Sequence, residues 1–142
     1  MLAAIISALA AIIASAGAIY LTKQKEREAA WRGKKLSYYE EFFAAVSSIV
    51  GNAPDDAKIR FAMAVNNLHL IGSPSVIKAL HAFTDEISLS NATKRTQERH
   101  DQLWSRLVWE IRADLGDAPG DFTTFEARLW ASGVGTNALP HL

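Results

Sequence analysis

Side chains able to do chemistry are few in this chain, and they do not converge. The 142 residues include no Cys, which removes disulfides, thiolate metal sites and Cys nucleophiles in one step. It also fits a domain facing a reducing cytoplasm. The four histidines, His69, His81, His100 and His141, fall in different segments, and no two have the spacing of a metal motif. His100 stands beside Asp101 and reads as a charged surface dipeptide. No Gly-rich phosphate loop and no Ser/His/Asp arrangement is present. The sequence therefore predicts no catalytic residue, no cofactor and no metal, and an enzyme is the least favoured class.

What remains is charge and two buried-looking amides. In "KRTQERHDQLWSR", Lys94, Arg95, Arg99 and Arg106 gather with Glu98 and Asp101 among them. One reading is a solvated, salt-bridged helix face. The other is a site for an anionic partner, a nucleotide or oligonucleotide, with Arg95, Arg99 and Arg106 as ligand-binding residues. A guanidinium takes phosphate oxygens in a planar fork, which suits that chemistry. Asn66 and Asn67, set between Val65 and Leu68, read first as an interhelical hydrogen bond. A ligand or subunit contact is the alternative. Trp104 and Trp109 read as core rather than as base-stacking platforms.

The elements that must position these groups begin with a membrane segment. From Leu2 to Thr22 there are twenty-one uncharged, mostly apolar residues. About 20 residues of helix cross ~30 Å of hydrocarbon. A soluble core helix is rarely uncharged for so long. "ASA" at Ala14–Ala16 resembles a signal-peptide cleavage site, but no Lys or Arg precedes the apolar run. A retained transmembrane helix over 2–22 is the preferred reading. Lys23, Lys25, Arg27, Arg32, Lys34 and Lys35 follow at once, making 23–35 a basic juxtamembrane segment. Excess Lys and Arg mark the cytoplasmic flank, so the N-terminus is expected outside the bacterial inner membrane and the rest inside. Tyr20 and Trp31 bracket the junction, where aromatic rings favour the lipid interface.

The span is unusual in being small. Eight Ala, two Ser and one Gly lie between Leu2 and Thr22. Ala3, Ser7, Ala11 and Ser15 are spaced by four, a pattern that lets membrane helices approach closely. These four residues are expected to pack helix on helix in a homo-oligomer. At 100° per residue Ser15 and Thr22 fall nearly in register, with Ser7 within a quadrant. Ser7, Ser15 and Thr22 therefore form a polar stripe able to line a pore, which a single helix cannot enclose.

Beyond the junction the period stays helical, and all-α architecture follows: one transmembrane helix, then a helical cytoplasmic domain of about four helices over 36–132, and a tail over 133–142. Trp31, Leu36, Tyr39, Phe42, Phe43, Val46, Ile49 and Val50 recur three and four apart, predicting one rod of nearly fifty residues from the membrane into the domain. "GNAP" ends it. A helix over 55–71 is expected to carry Ile59, Phe61, Ala62, Met63, Val65, Leu68 and Leu70. "GSPS" starts another, with Ser73 as N-cap and Pro74 at the first position, ending near Asn91. A last long helix is expected from about Ala92 to Leu115, stopped by Gly116, followed by a short element at "FTTFEARLW". Lys plus Arg equals Asp plus Glu at 15 each, so overall charge argues neither for nor against a nucleic-acid partner.

Three stretches, "WRGKKLSYYEEFFAAVSSI", "RFAMAVNNLHLIGSPSVIKALHAF" and "EIRADLG", resemble a family of small bacterial proteins with one N-terminal span and a helical cytoplasmic domain. More loosely, the layout resembles transmembrane effectors of anti-phage defence such as that of the Hailong system. That effector is an oligomeric ion channel restrained by a DNA oligomer from a partner nucleotidyltransferase. The resemblance carries over no binding residue. It implies a span that oligomerises into a pore in membrane lipid, gated by a helical domain that senses a cytoplasmic nucleotide or oligonucleotide. A membrane-anchored scaffold without transport is the rival reading.

Overall fold

The computed structural model describes residues 1–50, 53–117 and 120–129. It is all-α: α1 (Leu2–Ser48), α2 (Asp55–Ile71), α3 (Pro74–Ile87), a 3₁₀ segment (Leu89–Lys94), α4 (Gln97–Asp114) and a 3₁₀ turn (Phe122–Thr124). No strand occurs among the described residues. The chain divides into two compact units, Met1–Lys34 and Lys35–Leu142.

The first unit is helix alone. It has neither Pro nor an internal breaker, and Gly33 does not interrupt it. The apolar stretch is long and hydrophobic enough to cross a membrane and buries nothing within the chain. Ile5, Ile6, Leu9, Ile12, Ile13 and Ile19 are all more than half exposed. A soluble core helix is covered by its own domain, and this segment is 0 % buried.

In the second unit the core is aromatic. Tyr39, Phe42, Ala45 and Val46 of α1 present one narrow stripe, met by Val76, Leu80 and Phe83 of α3 and Trp104, Leu107 and Ile111 of α4. The Trp104 ring lies 5.2 Å from Phe83 and 5.3 Å from Phe43, within the range where aromatic pairs attract. α2 adds Ala64, Leu68 and Ile71.

Local signals set the ends. Ser73 Oγ accepts from the Val76 amide, with Pro74 in the first turn, as the sequence predicts. Gly116 adopts φ 87° and closes α4, the Asp117 amide donating to Arg112 O at 2.9 Å. The α3–α4 junction departs from expectation. α3 ends at Ile87 rather than near Asn91, and α4 starts at Gln97 rather than Ala92. Between them "SLSNAT" carries side chains that compete with the helical ladder. Thr96 supplies the actual cap, accepting from the Arg99 amide at 3.2 Å.

The apolar period overcounts the core. Trp31, Leu36, Val50, Ile59, Met63 and Leu70 are exposed, by 76 % for Leu70. Asn66 is exposed and Asn67 half-buried, and among the described residues neither bonds to another helix. The expected interhelical amide bond is therefore not formed. The tail over 133–142, with His141, lies outside the described residues.

Candidate functional site

The structure seats the three candidate arginines in two places. Arg95, just before α4, turns back on the C-terminus of α3. It donates from Nε to Glu86 O at 3.2 Å and from a terminal nitrogen to Ile87 O at 2.7 Å and Ser88 O at 3.3 Å. These carbonyls end a helix and lack intrahelical donors, so a guanidinium satisfies them and meets the negative end of the dipole. Arg95 is a capping residue.

Arg99, in the first turn of α4, reaches the Glu86 side chain at the same helix end. Its Nε donates to Glu86 Oε2 at 3.0 Å, and its side chain stays 65 % exposed while that of Glu86 is 2 % exposed. Asn91 Nδ2 donates to the same carboxylate oxygen at 3.0 Å. Glu86 Oε1 is buried without a partner among the described residues. A carboxylate in this position needs its cation, because a buried charge left alone costs several kcal/mol, on the order of 3 or more. Asp85, Glu86, Ser88, Asn91, Lys94 and Arg99 border an open depression of about 760 Å³.

Arg106 belongs elsewhere. It pairs with the buried Glu110 one turn on, and its guanidinium carbon stands 5.4 Å from the Trp109 ring and 4.7 Å from that of Phe122. A cation over aromatic faces glues the 3₁₀ turn to α4. It shares no partner with Arg95 or Arg99. Trp104 is 3 % exposed and core, as expected.

A second polar cluster joins α1 to the end of α4. Lys35 Nζ lies 2.9 Å from both carboxylate oxygens of Asp114, and the buried Tyr39 hydroxyl donates a short hydrogen bond to Oδ2. Burial first, then the Asp114 hydrogen bond and charge, push the Tyr39 phenol far above its usual value of 10.0. Tyr39 falls on the helical face and Lys35 in the basic flank, as their spacing suggests, but nothing in the sequence signals that both bond Asp114.

In the apolar segment, Ser15 Oγ donates to Ala11 O at 2.8 Å and Thr22 Oγ1 to Ala18 O at 2.9 Å. Each hydroxyl proton is thus satisfied within its own helix, which makes it tolerable in lipid without a partner. What each turns outward is an oxygen lone pair. Ala3, Ser7, Ala11 and Ser15 are all exposed. No group of three or more His, Asp or Glu able to hold a metal occurs among the described residues. No protein-family model, curated protein or solved structure matches the chain.

Proposed function

We propose that this is a single-pass, self-associating protein of the bacterial inner membrane, an oligomeric channel-type effector of anti-phage defence gated through its cytoplasmic helical domain. The observation that carries the membrane part is the uncharged helix over 2–22, which buries nothing in its own chain. Its small face at Ala3, Ser7, Ala11 and Ser15 supplies the packing surface, since close backbone approach is what drives helix association in lipid. The defence role and the pore rest on the resemblance of the layout. The lone pairs of Ser15 and Thr22 support a water-filled, cation-tolerant lining, because their protons are already spent.

In this reading the signal is a nucleotide or oligonucleotide made by a partner nucleotidyltransferase. Arg99 and Lys94, at the open depression beside Glu86, are its best-placed cations. Arg95 and Arg106 serve the fold. Arg99→Ala therefore tests binding and stability together, and Lys94→Ala separates them.

The basic flank sets the orientation, N-terminus outside. A reporter that works only in the periplasm, fused after Leu142, is expected to stay silent in cells. Periplasmic activity would overturn the orientation and the cytoplasmic signal with it.

The second reading, an anchored scaffold, is favoured by one feature. Ile59, Met63 and Leu70 form an apolar stripe on α2, exposed by 62 %, 60 % and 76 %. Such a stripe suits a docking partner and needs no pore. Ion flux separates the two readings: a channel leaks and a scaffold does not.

A further inference from the structure

The turn between α2 and α3 brings together two histidines that the sequence keeps twelve residues apart. His69 Nε2 and His81 Nε2 lie 2.8 Å from each other. Their ring centroids are 5.1 Å apart with planes at 38°, and both side chains are exposed. The linker enforces this. α2 ends at Ile71, Ser73 caps α3, and a Cβ on Gly72 would meet Leu68 O at 3.0 Å and Ile77 Cδ1 at 3.1 Å. A side chain there would need its neighbours to give by a few tenths of an ångström, so the two helices approach closely at this turn.

The chemistry of the pair is defined by a third contact. His69 Nδ1 lies 3.0 Å from Val65 O, and a carbonyl can only accept. His69 Nδ1 therefore carries the proton, and on the neutral ring Nε2 presents a bare lone pair towards His81. A ring whose outer nitrogen is free and whose inner N–H is fixed on a backbone carbonyl is the arrangement that metal-ligating histidines adopt. Two nitrogens at 2.8 Å share one proton. A tetrahedral Zn²⁺ with bonds of about 2.0–2.1 Å would hold them about 3.3 Å apart, so opening the pair by roughly half an ångström admits the ion.

We propose that His69 and His81 form a binding site for a divalent transition-metal ion, Zn²⁺ in particular, that clasps the last turn of α2 to α3. The metal accepts both Nε2 lone pairs. The proton that lay between them passes through water to His81 Nδ1, so no net charge leaves the rings and nothing is oxidised or reduced. Water fills the remaining positions, since no third His, Asp or Glu converges there among the described residues. Imidazole nitrogen suits Zn²⁺, Ni²⁺ and Cu²⁺, whereas Mg²⁺ demands oxygen ligands. The site lies on the domain assigned to sensing, yet its existence is independent of that role.

The test is calorimetric titration of the full chain, untagged and in detergent, with ZnCl₂ and separately with MgCl₂. One Zn²⁺ per chain is expected, with no comparable Mg²⁺ uptake. His69→Gln and His81→Gln, which retain hydrogen-bonding capacity but ligate zinc poorly, should each weaken Zn²⁺ binding at least tenfold. Zinc should raise the melting temperature of the unaltered chain alone. Imidazole ¹⁵N resonances of the unaltered chain give a readout free of any folding defect: those of His69 and His81 should shift with zinc, and those of His100 should not. No zinc uptake beyond that of Mg²⁺, full binding in either variant, or unmoved His69 and His81 resonances would each overturn the site.

Discussion

Asp114→Ala is expected to lower the stability of the helical domain by about 3 kcal/mol, the cost of breaking a buried ion pair from one side. The carboxylate is 8 % exposed and holds two donors at once, Lys35 and the buried Tyr39 hydroxyl. Removing it leaves a phenol with no acceptor and an ammonium at 14 % exposure with no counter-charge. Lys35→Met in the Asp114→Ala background should recover part of the loss, since an apolar pair in that place removes the unpaired charge. Asp55, whose bond to Lys58 leaves its side chain 91 % exposed, is the control, and its Ala variant should change stability by under about 0.5 kcal/mol. Thermal melts of the full chain in detergent, followed by circular dichroism, read all four proteins. Equal melting of the Asp114 and Asp55 variants would mean that the cluster holds nothing. The raised Tyr39 value adds a sign. A group whose folded value lies above its unfolded 10.0 gives stability that is present below that pH and is lost progressively above it.

Ala11→Leu and Ser15→Leu are each expected to abolish most of the crosslinked oligomer in membranes, while Ile12→Leu leaves it intact. Small residues let membrane helices approach closely, and a Leu in their place holds backbones apart. Ile12 is 65 % exposed on the broad apolar surface, where Leu is equally at home. Ser15→Ala distinguishes size from hydrogen bonding. The Ser15 hydroxyl already donates to Ala11 O, so Ala should retain most of the oligomer. Equal yields from Ala11→Leu, Ser15→Leu and Ile12→Leu would move the contacts out of the span, with the α2 stripe at Ile59, Met63 and Leu70 next in line.

These two clusters show what a sequence does and does not disclose. The long apolar helix, the Ser73–Pro74 start of α3 and the Gly116 stop are local events, each decided by a few neighbouring residues, and all were legible. The core of α4 was legible too, because Trp104, Leu107 and Ile111 repeat at helical spacing. Glu86 was invisible. Its burial depends on Arg95, Asn91 and Arg99 folding back over the end of α3, and nothing in "HAFTDEISL" announces that. The same packing divides the arginine group: charge clustering in sequence placed Arg106 with Arg99, but two turns of helix carry it to Trp109 and Phe122. On α2, Ile59 and Met63 fit the helical repeat yet stay exposed. Periodicity reports which residues are apolar, not whether a partner helix arrives to cover them. His69 and His81 meet across the turn at Gly72, a tertiary approach that their spacing of twelve does not announce.

A pore built from several copies of one span is tested by ion flux from liposomes loaded with a potassium-sensitive dye, reconstituted with the purified full chain over a range of protein-to-lipid ratios. Flux should rise more steeply than linearly with protein, because only an assembly has a lumen, and should fall to background in Ala11→Leu. An oligomer that inserts in full amount and passes no ions at any ratio would contradict the channel and leave the anchored scaffold.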